Sequence, residues 1–478
     1  MSGKIMFGTA RSFTLALYDV RVRRLCMRNY SREWAPSSAA ETTDADRLGH
    51  PQNVTAEADK MRKALILIEN TRTNGRSYVE AVRRLRLHPI ILAADPALYD
   101  YVAAERIEVA RVDTTNLDAL IGEYSRLGKS FDIAGVTSAA ESFYATVGKI
   151  CRNFNLPGPD PESIEQCCNK AAQRQVLAAA GVPVPGYRSA TTAAEVQCVA
   201  AEIGLPAVLK PAVGSGSRGV RLCRDARELA EHTDYLLGGK HMWRSSPEVL
   251  VEQFVDGPHY IAEIMGDEVI GIGITEYGPP PHFVFRQLTF PAPLTDEQYE
   301  RAVDVVQRCL RALGLGWGPT NIEFRWTEVG PVVIEVNPRL AGNPDPQLVQ
   351  LAFDVDLIGE HIKLAIGEQC NLSKRQSRTA TARSLIADRD GTLDYIDGID
   401  RAAAIPGVAD VKLYVRPGTP IVRNGDYCDR IGYVVAVAPS RSSADTIIQR
   451  AVESIDWSIS PFSDLHDQEQ YTPLYFPD

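Results

Sequence analysis

The chain has 478 residues, of which 45% are hydrophobic and 23% are charged, the proportions of an ordinary globular protein rather than a disordered or collagen-like one. Its formal charge of −10 at pH 7 argues against a nucleic-acid partner, although a local pocket can still take a nucleotide. The longest apolar runs are strand-sized, well short of the roughly 20 residues that span a bilayer, so we expect no membrane partner. Nine cysteines without CxxC spacing are typical of reduced thiols in a cytoplasmic protein.

Residues 1–60 differ in composition from the rest of the chain. Their first half is rich in arginine, and their second half, from Ala35 onward, offers little apolar surface to bury. The arginine content leaves a transit-like leader open beside a non-essential, flexible extension. We expect the folded protein to begin near Met61, and deletion of residues 1–60 to leave most of its activity.

From Met61 to about residue 160 the pattern alternates between strands and helices. Such alternation builds a parallel sheet covered by helices on both faces, so residues 61–160 are predicted to form a Rossmann-like domain. The predicted strands are the apolar runs at 64–70, 88–95, 107–113 and 131–138.

Residues 161–375 mix helices with strands that look antiparallel, and a polar linker follows near 371–378. Single helices are predicted over 164–181 and 347–366. Residues 376–478 are predicted to be a small α+β module with an irregular tail. The expected fold class is therefore α/β and α+β with several domains.

A glycine loop follows a predicted strand in PAVLKPAVGSGSRGV at 206–220. Glycine adopts positive φ readily and lets backbone N–H groups approach an anion, which favours phosphate binding. The loop is neither a P-loop nor a GxGxxG fingerprint. Lys210 before it would suit a phosphate or an adenine edge. A flexible surface hairpin and a solvated strand-edge lysine are the alternatives. The loop residues of interest are Gly214, Ser215, Gly216, Ser217 and Gly219.

Two glutamates lie on predicted strands joined by a turn in NIEFRWTEVGPVVIEVNPR at 321–339. In a hairpin Glu323 and Glu335 can face the same side, and Glu335, Asn337 and Arg339 alternate onto one face of an extended strand. Two carboxylates and an amide oxygen favour Mg²⁺ that keeps water and phosphate oxygens as further ligands. Solvent-facing glutamates with an arginine partner are the alternative, disfavoured because a charge within VVIEV needs a compensating cation.

A third segment, EVLVEQFVDGPHYIAEI at 248–264, has an acidic residue within an apolar strand and then Asp-Gly-Pro. By itself it is better interpreted as an ordinary strand and turn. Its interest comes from its position between the glycine loop and the acidic hairpin.

In this order the segments resemble the ATP-grasp superfamily of carboxylate–amine ligases. The order is a lysine on a helix (Lys170 in CCNKAAQRQ), a lysine before a Gly/Ser loop, an acidic strand, and Glu…Glu-x-Asn-Pro-Arg. The resemblance spans about 62–370, and residues 378–460 are similar to the C-terminal module of L-amino-acid (dipeptide) ligases. It implies an ATP-grasp domain over 161–375, with a lid lobe at about 183–253.

The resemblance also implies how the nucleotide is held. Lys170 and Lys210 would contact ATP, and the glycine loop would close over its β- and γ-phosphates. The hinge strand beginning at Glu252 would grip adenine through the main chain of Gln253 and Val255. His259 stands where many members have a ribose-binding glutamate.

The metal and phosphate contacts follow from the same resemblance. Glu323, Glu335 and Asn337 would hold two Mg²⁺ ions, which Mn²⁺ can replace. Arg339, together with Lys210, would hold the transferring phosphate. Phosphoryl transfer needs positioning and charge compensation more than a protein nucleophile, so no Ser-His-Asp or Cys-His set is required.

The implied reaction joins a carboxylate, activated as an acyl phosphate, to an amine, and gives an amide or dipeptide with ADP and phosphate. Amino acids are the expected substrates, in a secondary metabolic pathway, and a homodimer is left open. Arg286 in HFVFRQLTF is predicted to pair with a substrate carboxylate; a surface arginine packed on Phe283 or Phe285 is the alternative. Another ATP-grasp ligase or carboxylase, or a non-catalytic nucleotide-binding regulatory protein, are the competing functions.

Overall fold

The computed structural model describes residues 61–69, 74–238 and 248–462. These residues belong to one compact unit, which covers Lys60–Asp478. The extension expected over 1–60 and the tail after 462 lie outside the described residues. Within the described ranges, no helix has both the length and the apolar composition needed to cross a membrane.

The first domain is a parallel sheet with helices on both faces. Its elements are β1 (Arg62–Ile68), α1 (Gly75–Arg84), β2 (His88–Ala93), α2 (Asp100–Ala104), β3 (Glu108–Arg111), α3 (Leu117–Leu127), β4 (Phe131–Thr137) and α4 (Glu141–Phe154). The strand order is β3-β2-β1-β4. Leu65 packs in the same core as Tyr78 of α1, and Ile66 in the same core as Phe143 of α4. Because both faces are covered, the strand sequence is continuously apolar, and the predicted parallel domain is confirmed.

Two helices predicted as continuous are each divided by a capping residue. The run 164–181 forms α5 (Pro161–Cys168) and α6 (Lys170–Ala179), because the side chain of Asn169 accepts the N–H groups of Ala171 and Ala172. The run 347–366 forms α10 (Asp345–Phe353) and α11 (Leu357–Ala365), since Asp354 has a φ of 59°. The two predictions of a continuous helix were therefore wrong. The break at Asn169 places Lys170 at the start of α6.

A small lobe stands apart from the other sheets and contains four antiparallel strands. It consists of β5 (Tyr187–Ala190), α7 (Ala193–Ile203), β6 (Ala207–Pro211), β7 (Arg221–Cys223), α8 (Ala226–Leu237) and β8 (Val249–Gln253). The strand order is β5-β8-β6-β7. Val196, Leu209, Leu229 and Val251 form a core of its own. The segment predicted as a lid, 183–253, contains this lobe, apart from residues 239–247, which lie outside the described part of the chain.

The central sheet has eight strands, and every neighbouring pair is antiparallel. Its strands are β9 (His259–Met265), β10 (Glu268–Tyr277), β11 (Phe285–Phe290), β12 (Pro319–Thr327), β13 (Gly330–Asn337), β14 (Thr379–Ile386), β16 (Val408–Leu413) and β18 (Arg430–Ala438). Their order is β13-β12-β9-β10-β11-β14-β18-β16. Helix α9 (Asp296–Leu313) packs with α5 and α6 against one face.

The C-terminal segment, residues 379–462, has the mixed α+β composition that the sequence predicted. Three of its strands extend the central sheet, because β14 pairs with β11 from Gln287 opposite Arg383 to Phe290 opposite Ala380. That pairing satisfies an edge that would otherwise be open. The rest of the segment forms α12 (Ile399–Ala403), α13 (Arg441–Glu453) and a small sheet of β15 (Gly391–Asp397), β17 (Pro420–Ile421) and β19 (Asp456–Ser460).

Candidate active site

A cavity lies where the small lobe, the central sheet and the C-terminal segment meet. Almost all of the residues singled out in the sequence line it, although they come from well-separated stretches of the chain. The lining includes Lys170, Lys210, Gly214, Ser215, Gly216, Ser217, Glu252, Gln253, Val255, His259, Glu323, Glu335, Asn337 and Arg339. The fold therefore brings together in one place what the sequence pattern predicted as one site.

Lys210 is held by a buried cluster of charges where the small lobe meets α6. Its Nζ lies 2.6 Å from Glu252 Oε2, and Arg174 Nε donates to Glu252 Oε1 at 2.6 Å. Burial would raise the pKa of Glu252, but the charges of Arg174 and Lys210 outweigh it and lower that pKa. Burial lowers the pKa of Lys210 despite the carboxylate beside it. Glu252 is thus a counter-ion for Lys210 as well as part of the predicted hinge strand.

Lys170 joins the glycine loop to the acidic hairpin. Its backbone N–H donates to the carbonyl of Ala212 at 2.8 Å, and its Nζ hydrogen-bonds the carbonyl of Gly214 and lies 2.9 Å from Glu335 Oε1. Burial would lower the pKa of Lys170, but Glu335 and Glu141 outweigh that effect and raise it. The side chain therefore stays cationic between the loop and the hairpin.

Glu323 and Glu335 are direct partners across the β12–β13 ladder, as the hairpin prediction required. Glu323 Oε2 lies 3.1 Å from His259 Nε2. Burial would raise the pKa of Glu323, but the hydrogen bond from His259 and the charge of Arg339 outweigh it and lower that pKa. Like charges facing each other across a ladder are destabilising unless cations compensate.

The metal-ligand set expected here contains two carboxylates and one amide. Asn337 is buried and donates to Asn321 Oδ1 at 3.5 Å. Among the described residues no cluster of three or more His, Cys, Asp or Glu side chains has metal-binding geometry. Paired carboxylates with an amide are still a chemical match for Mg²⁺, which takes few protein ligands and keeps water and phosphate oxygens.

Arg339 reaches the cavity from the turn after β13. Its Nε donates to Glu141 Oε2 at 2.6 Å, and Glu141 is the first residue of α4. The side chain is about one-fifth exposed, with 21% of its surface accessible. The guanidinium is therefore fixed by the first domain while it still faces the cavity.

The glycine loop, residues 214–219, rests on the C-terminal segment. The backbone N–H of Tyr427 donates to the carbonyl of Gly216 at 3.3 Å, and Arg218 Nη2 donates to Tyr427 Oη at 2.8 Å. Arg218 also lies over the Tyr427 ring, 5.3 Å from its centre. A Cβ added at Gly216, where φ is 66°, would lie 2.5 Å from Tyr427 Cδ1. The loop is thus seated over the cavity by a residue far away in sequence.

Arg286 is the predicted site residue that the fold does not bring into the cavity. It is exposed on β11, and the cavity lining takes Phe285 from that strand instead. Successive side chains of a strand point to opposite faces, so Phe285 and Arg286 cannot both face inward. The alternative of a surface arginine is the one that the structure supports.

Several residues of the site were missed in the sequence. Arg174 lies four positions after Lys170 on α6, and that spacing places both on one face of the helix, so a local signal existed. Glu141 and Tyr427 meet the site only through the tertiary fold. Glu263 is fully buried beside the site and accepts from Asn321 Nδ2 at 2.8 Å; burial, with a smaller effect of Asp345, raises its pKa well above the ordinary value.

Two segments of the chain that line this site match known protein families. Residues 169–373 match the family model of the carbamoyl-phosphate synthase L chain, ATP binding domain, and residues 383–460 match L-amino acid ligase C-terminal domain 2. The fold is the ATP-grasp fold. The C-terminal segment is similar to that of L-amino acid ligases, and both resemblances found in the sequence are confirmed.

Individual relatives are distant. Carnosine synthase 1 of Mus musculus is 26% identical over 270 residues, which are 52% of this chain and 32% of that protein. Chloroplastic biotin carboxylase of Arabidopsis thaliana is 26% identical over 64% of this chain and 59% of its own length. The L-arginine-specific L-amino acid ligase of Bacillus subtilis is 20% identical over 64% of this chain and 75% of its own. The chain thus spans about a third of the length of the first relative and about three fifths of the length of the second.

Solved structures agree on the fold. The L-amino acid ligase from Bacillus licheniformis superposes with a TM-score of 0.70 at 21% identity, over 84% of this chain and 100% of that chain. At that identity the likeness concerns the fold, and the activity must be argued from the site.

Proposed function

We propose that the protein is an ATP-dependent ligase that activates a carboxylate as an acyl phosphate and joins it to an amine. The observation that carries the proposal is the single cavity in which two lysines, a glycine loop, a facing pair of glutamates and an arginine converge. A protein that only bound a nucleotide would not need the glutamate pair and Arg339 beside it.

The reaction has two steps. A carboxylate oxygen of the first substrate attacks the γ-phosphorus of ATP, the bond to the ADP oxygen breaks, and an acyl phosphate forms. The amine nitrogen of the second substrate then attacks the acyl carbon, and the carbon–oxygen bond to phosphate breaks with its electron pair leaving on phosphate. One proton is lost from the nitrogen, and the products are an amide, ADP and phosphate.

The nucleotide is proposed to lie between the small lobe and the central sheet. Lys170 and Lys210 would compensate the charge of the phosphates, under the glycine loop. The N–H of Gln253 is taken by the carbonyl of Gly186 at 2.8 Å, so a contact of Gln253 with the base would use its carbonyl. His259 Nδ1 is buried without a hydrogen-bond partner among the described residues, and it is the atom of this ring that a ribose hydroxyl could meet.

Glu323, Glu335 and Asn337 are proposed to be the residues that would hold Mg²⁺, which Mn²⁺ could replace. When bound, the metal compensates the negative charge on the β- and γ-phosphates. Lys170 Nζ lies 2.9 Å from Glu335 and His259 Nε2 lies 3.1 Å from Glu323, so each carboxylate is positioned by a neighbouring side chain. Arg339, fixed by Glu141, would bind the phosphate that is transferred.

Amino acids are the proposed substrates. The support is the match of residues 383–460 to L-amino acid ligase C-terminal domain 2, together with the similarity to the L-arginine-specific L-amino acid ligase of Bacillus subtilis. The amide would then be a dipeptide or a closely similar compound.

The test is a screen of the full-length protein with ATP, Mg²⁺ and pairs of amino acids. The nucleotide and phosphate products are identified by chromatography, and the amide by mass spectrometry. ADP and phosphate should appear in equal amounts with the amide, and only when a divalent metal is present. Formation of AMP and pyrophosphate with the amide would contradict the acyl-phosphate mechanism.

A further inference from the structure

Arg430 is a cavity-lining arginine that the C-terminal segment supplies. It is the first residue of β18, and its Nε donates to the carbonyl of Tyr427 at 3.3 Å. The guanidinium lies over the rings of Phe285 and Tyr414, 5.6 Å and 5.7 Å from their centres. These contacts fix the plane of the guanidinium, and its charge also acts on Asp345, a buried carboxyl that lines the same cavity.

Most other cations of the cavity already have a carboxylate. Lys170 pairs with Glu335, Lys210 with Glu252, and Arg339 with Glu141. Arg430 has no carboxylate at ion-pair distance among the residues that the structure describes. Arg325 also lacks one, but it is stacked on Phe254 and donates to Gly257 beside the hinge, on the side proposed for the nucleotide.

Arg430 comes from a different part of the central sheet than the glutamate pair. The glutamate pair lies on β12 and β13, whereas β18 is five strands from β12 in the central sheet. Phe285 of β11 and Tyr277 of β10 line the cavity between them. An anion held by Arg430 would therefore be bound from a strand other than the two that carry the glutamate pair.

A ligase that joins two amino acids meets two carboxylates and must activate only one. The carboxylate that is activated has to reach the phosphate beside Arg339. The other carboxylate, on the substrate that supplies the amine, must be held elsewhere with the amine directed into the cavity. A planar guanidinium presents paired donors that match a carboxylate, which makes arginine suited to this task.

We propose that Arg430 binds the free carboxylate of the amine substrate, and so selects an amino acid over a simple amine as acceptor. This inference rests on the proposed ligase function. It assigns to the C-terminal segment the part of specificity that the sequence had placed on Arg286.

The test uses hydroxylamine, a small nucleophile without a carboxylate, which converts an acyl phosphate into a hydroxamate. Hydroxamate formation with ATP, Mg²⁺ and each of the common amino acids reports activation alone. Dipeptide formation reports activation and acceptor binding together. Each acceptor amino acid is compared with its own carboxamide, which differs only in the carboxylate.

Three variants are measured in the full-length chain. In Arg430→Met, the KM for the acceptor amino acid should rise at least ~10-fold, as expected for a lost charged hydrogen bond, while the KM for the carboxamide and the rate of hydroxamate formation change little. Arg430→Lys should recover part of the preference for the amino acid. Arg423→Met is the control, because Arg423 is an exposed arginine of the same segment, paired with Asp390 at 3.2 Å.

The outcomes separate the two proposals. If the wild-type protein forms hydroxamate but Arg430→Met keeps the wild-type preference for amino acid over carboxamide, the role of Arg430 is overturned and the ligase function stands. Equal loss of hydroxamate and dipeptide in both Arg430 variants would likewise overturn it, since the residue would then act on activation or on folding. A wild-type protein that makes neither product with any amino acid overturns the ligase function and this inference with it.

Discussion

Lys210 Nζ and Glu252 Oε2 are 2.6 Å apart, and each of these side chains is only 4% exposed. The pair lies at the junction of β6 and β8, where Arg174 shares the same carboxylate at 2.6 Å. One negative charge thus serves two buried cations, Lys210 of the small lobe and Arg174 of α6. Removal of that charge leaves both without a counter-ion.

Glu252→Gln should therefore lower the free energy of unfolding by about 3–5 kcal/mol, the usual cost of leaving buried charge unpaired. Urea denaturation followed by circular dichroism measures it. Asp397→Asn is the control, because Asp397 pairs with Arg401 in an exposed helix-turn geometry at 3.4 Å and such pairs contribute little. Equal, small losses in the two variants would mean that Lys210 and Arg174 find other compensation.

Glu335→Gln should reduce the rate of ADP release by at least ~10²-fold, the size of effect seen when one preorganised charge is removed from an active site. The amide has nearly the same volume as the carboxylate, but Lys170 loses its partner at 2.9 Å, so the denaturation midpoint is measured beside the rate to separate lost stability from lost catalysis. Glu328→Gln provides the control on the exposed turn of the same hairpin. A normal rate in Glu335→Gln would place the metal site elsewhere.

Gly216→Ala should unseat the glycine loop from Tyr427, because its Cβ would lie 2.5 Å from the ring. The KM for ATP should rise, and hydrogen exchange across 214–219 should become faster. Gly418→Ala is a matched control, since Gly418 also has positive φ, +85°, but nothing lies within 4 Å of the added Cβ. Both variants carry the backbone strain, so the difference between them measures the contact with Tyr427.

The same loop should be more protected from hydrogen exchange when Mg²⁺ and a non-hydrolysable ATP analogue are present. Three glycines in six residues make the segment costly to order, and phosphate contacts would offset that cost. Closure would also keep water from the acyl phosphate. Identical protection with and without the nucleotide would contradict the proposal that this loop is a lid.

Stability should decrease in acid partly because of His361. This residue of α11 is fully buried against the first domain. It shares hydrogen bonds with Tyr78 at 2.6 Å and Tyr144 at 2.9 Å. Burial lowers the pKa of His361 from 6.5 to about 3. Below pH 6.5 the unfolded chain binds a proton that the folded chain refuses, so this contribution is complete above pH 6.5 and decreases as the pH falls toward 3.

His361→Gln should flatten that dependence. In the wild-type protein this residue contributes a slope of up to about 1.4 kcal/mol per pH unit once the unfolded histidine is protonated. Denaturant titrations at several pH values below neutrality measure the slope. An unchanged slope in His361→Gln would show that other groups control acid sensitivity.

The parts of the fold that the sequence predicted well are those with a local cause. Leu65 and Ile66 are both buried on opposite faces of β1, so the apolar run could only be a covered strand. The breaks at Asn169 and Asp354 were missed because asparagine and aspartate also occur inside helices. Only the three-dimensional structure shows that Asn169 begins a helix and that Asp354 ends one.

In the active site, too, the residues with a local sequence signal were predicted and those placed by the tertiary fold were not. The glutamate pair followed from strand alternation and a turn, and the structure places Glu323 opposite Glu335. Arg286 failed because alternation fixes which residues share a face but not which face is inside; that depends on how β11 packs. Arg430 lies 144 positions after Arg286 in the chain. No local pattern links it to the site.

The pairing of β11 with β14 limits where the chain can be cut or joined to a relative. A cut before β14 would leave the backbone groups of β11, from Gln287 to Phe290, as an open sheet edge beside the cavity, and such edges invite aggregation. A chimera that exchanges the C-terminal segment with that of a relative must therefore carry β14 intact, and with it β18 and Arg430. Acceptor choice would then be inherited as one block of sequence, while the residues around ATP remain those of the host.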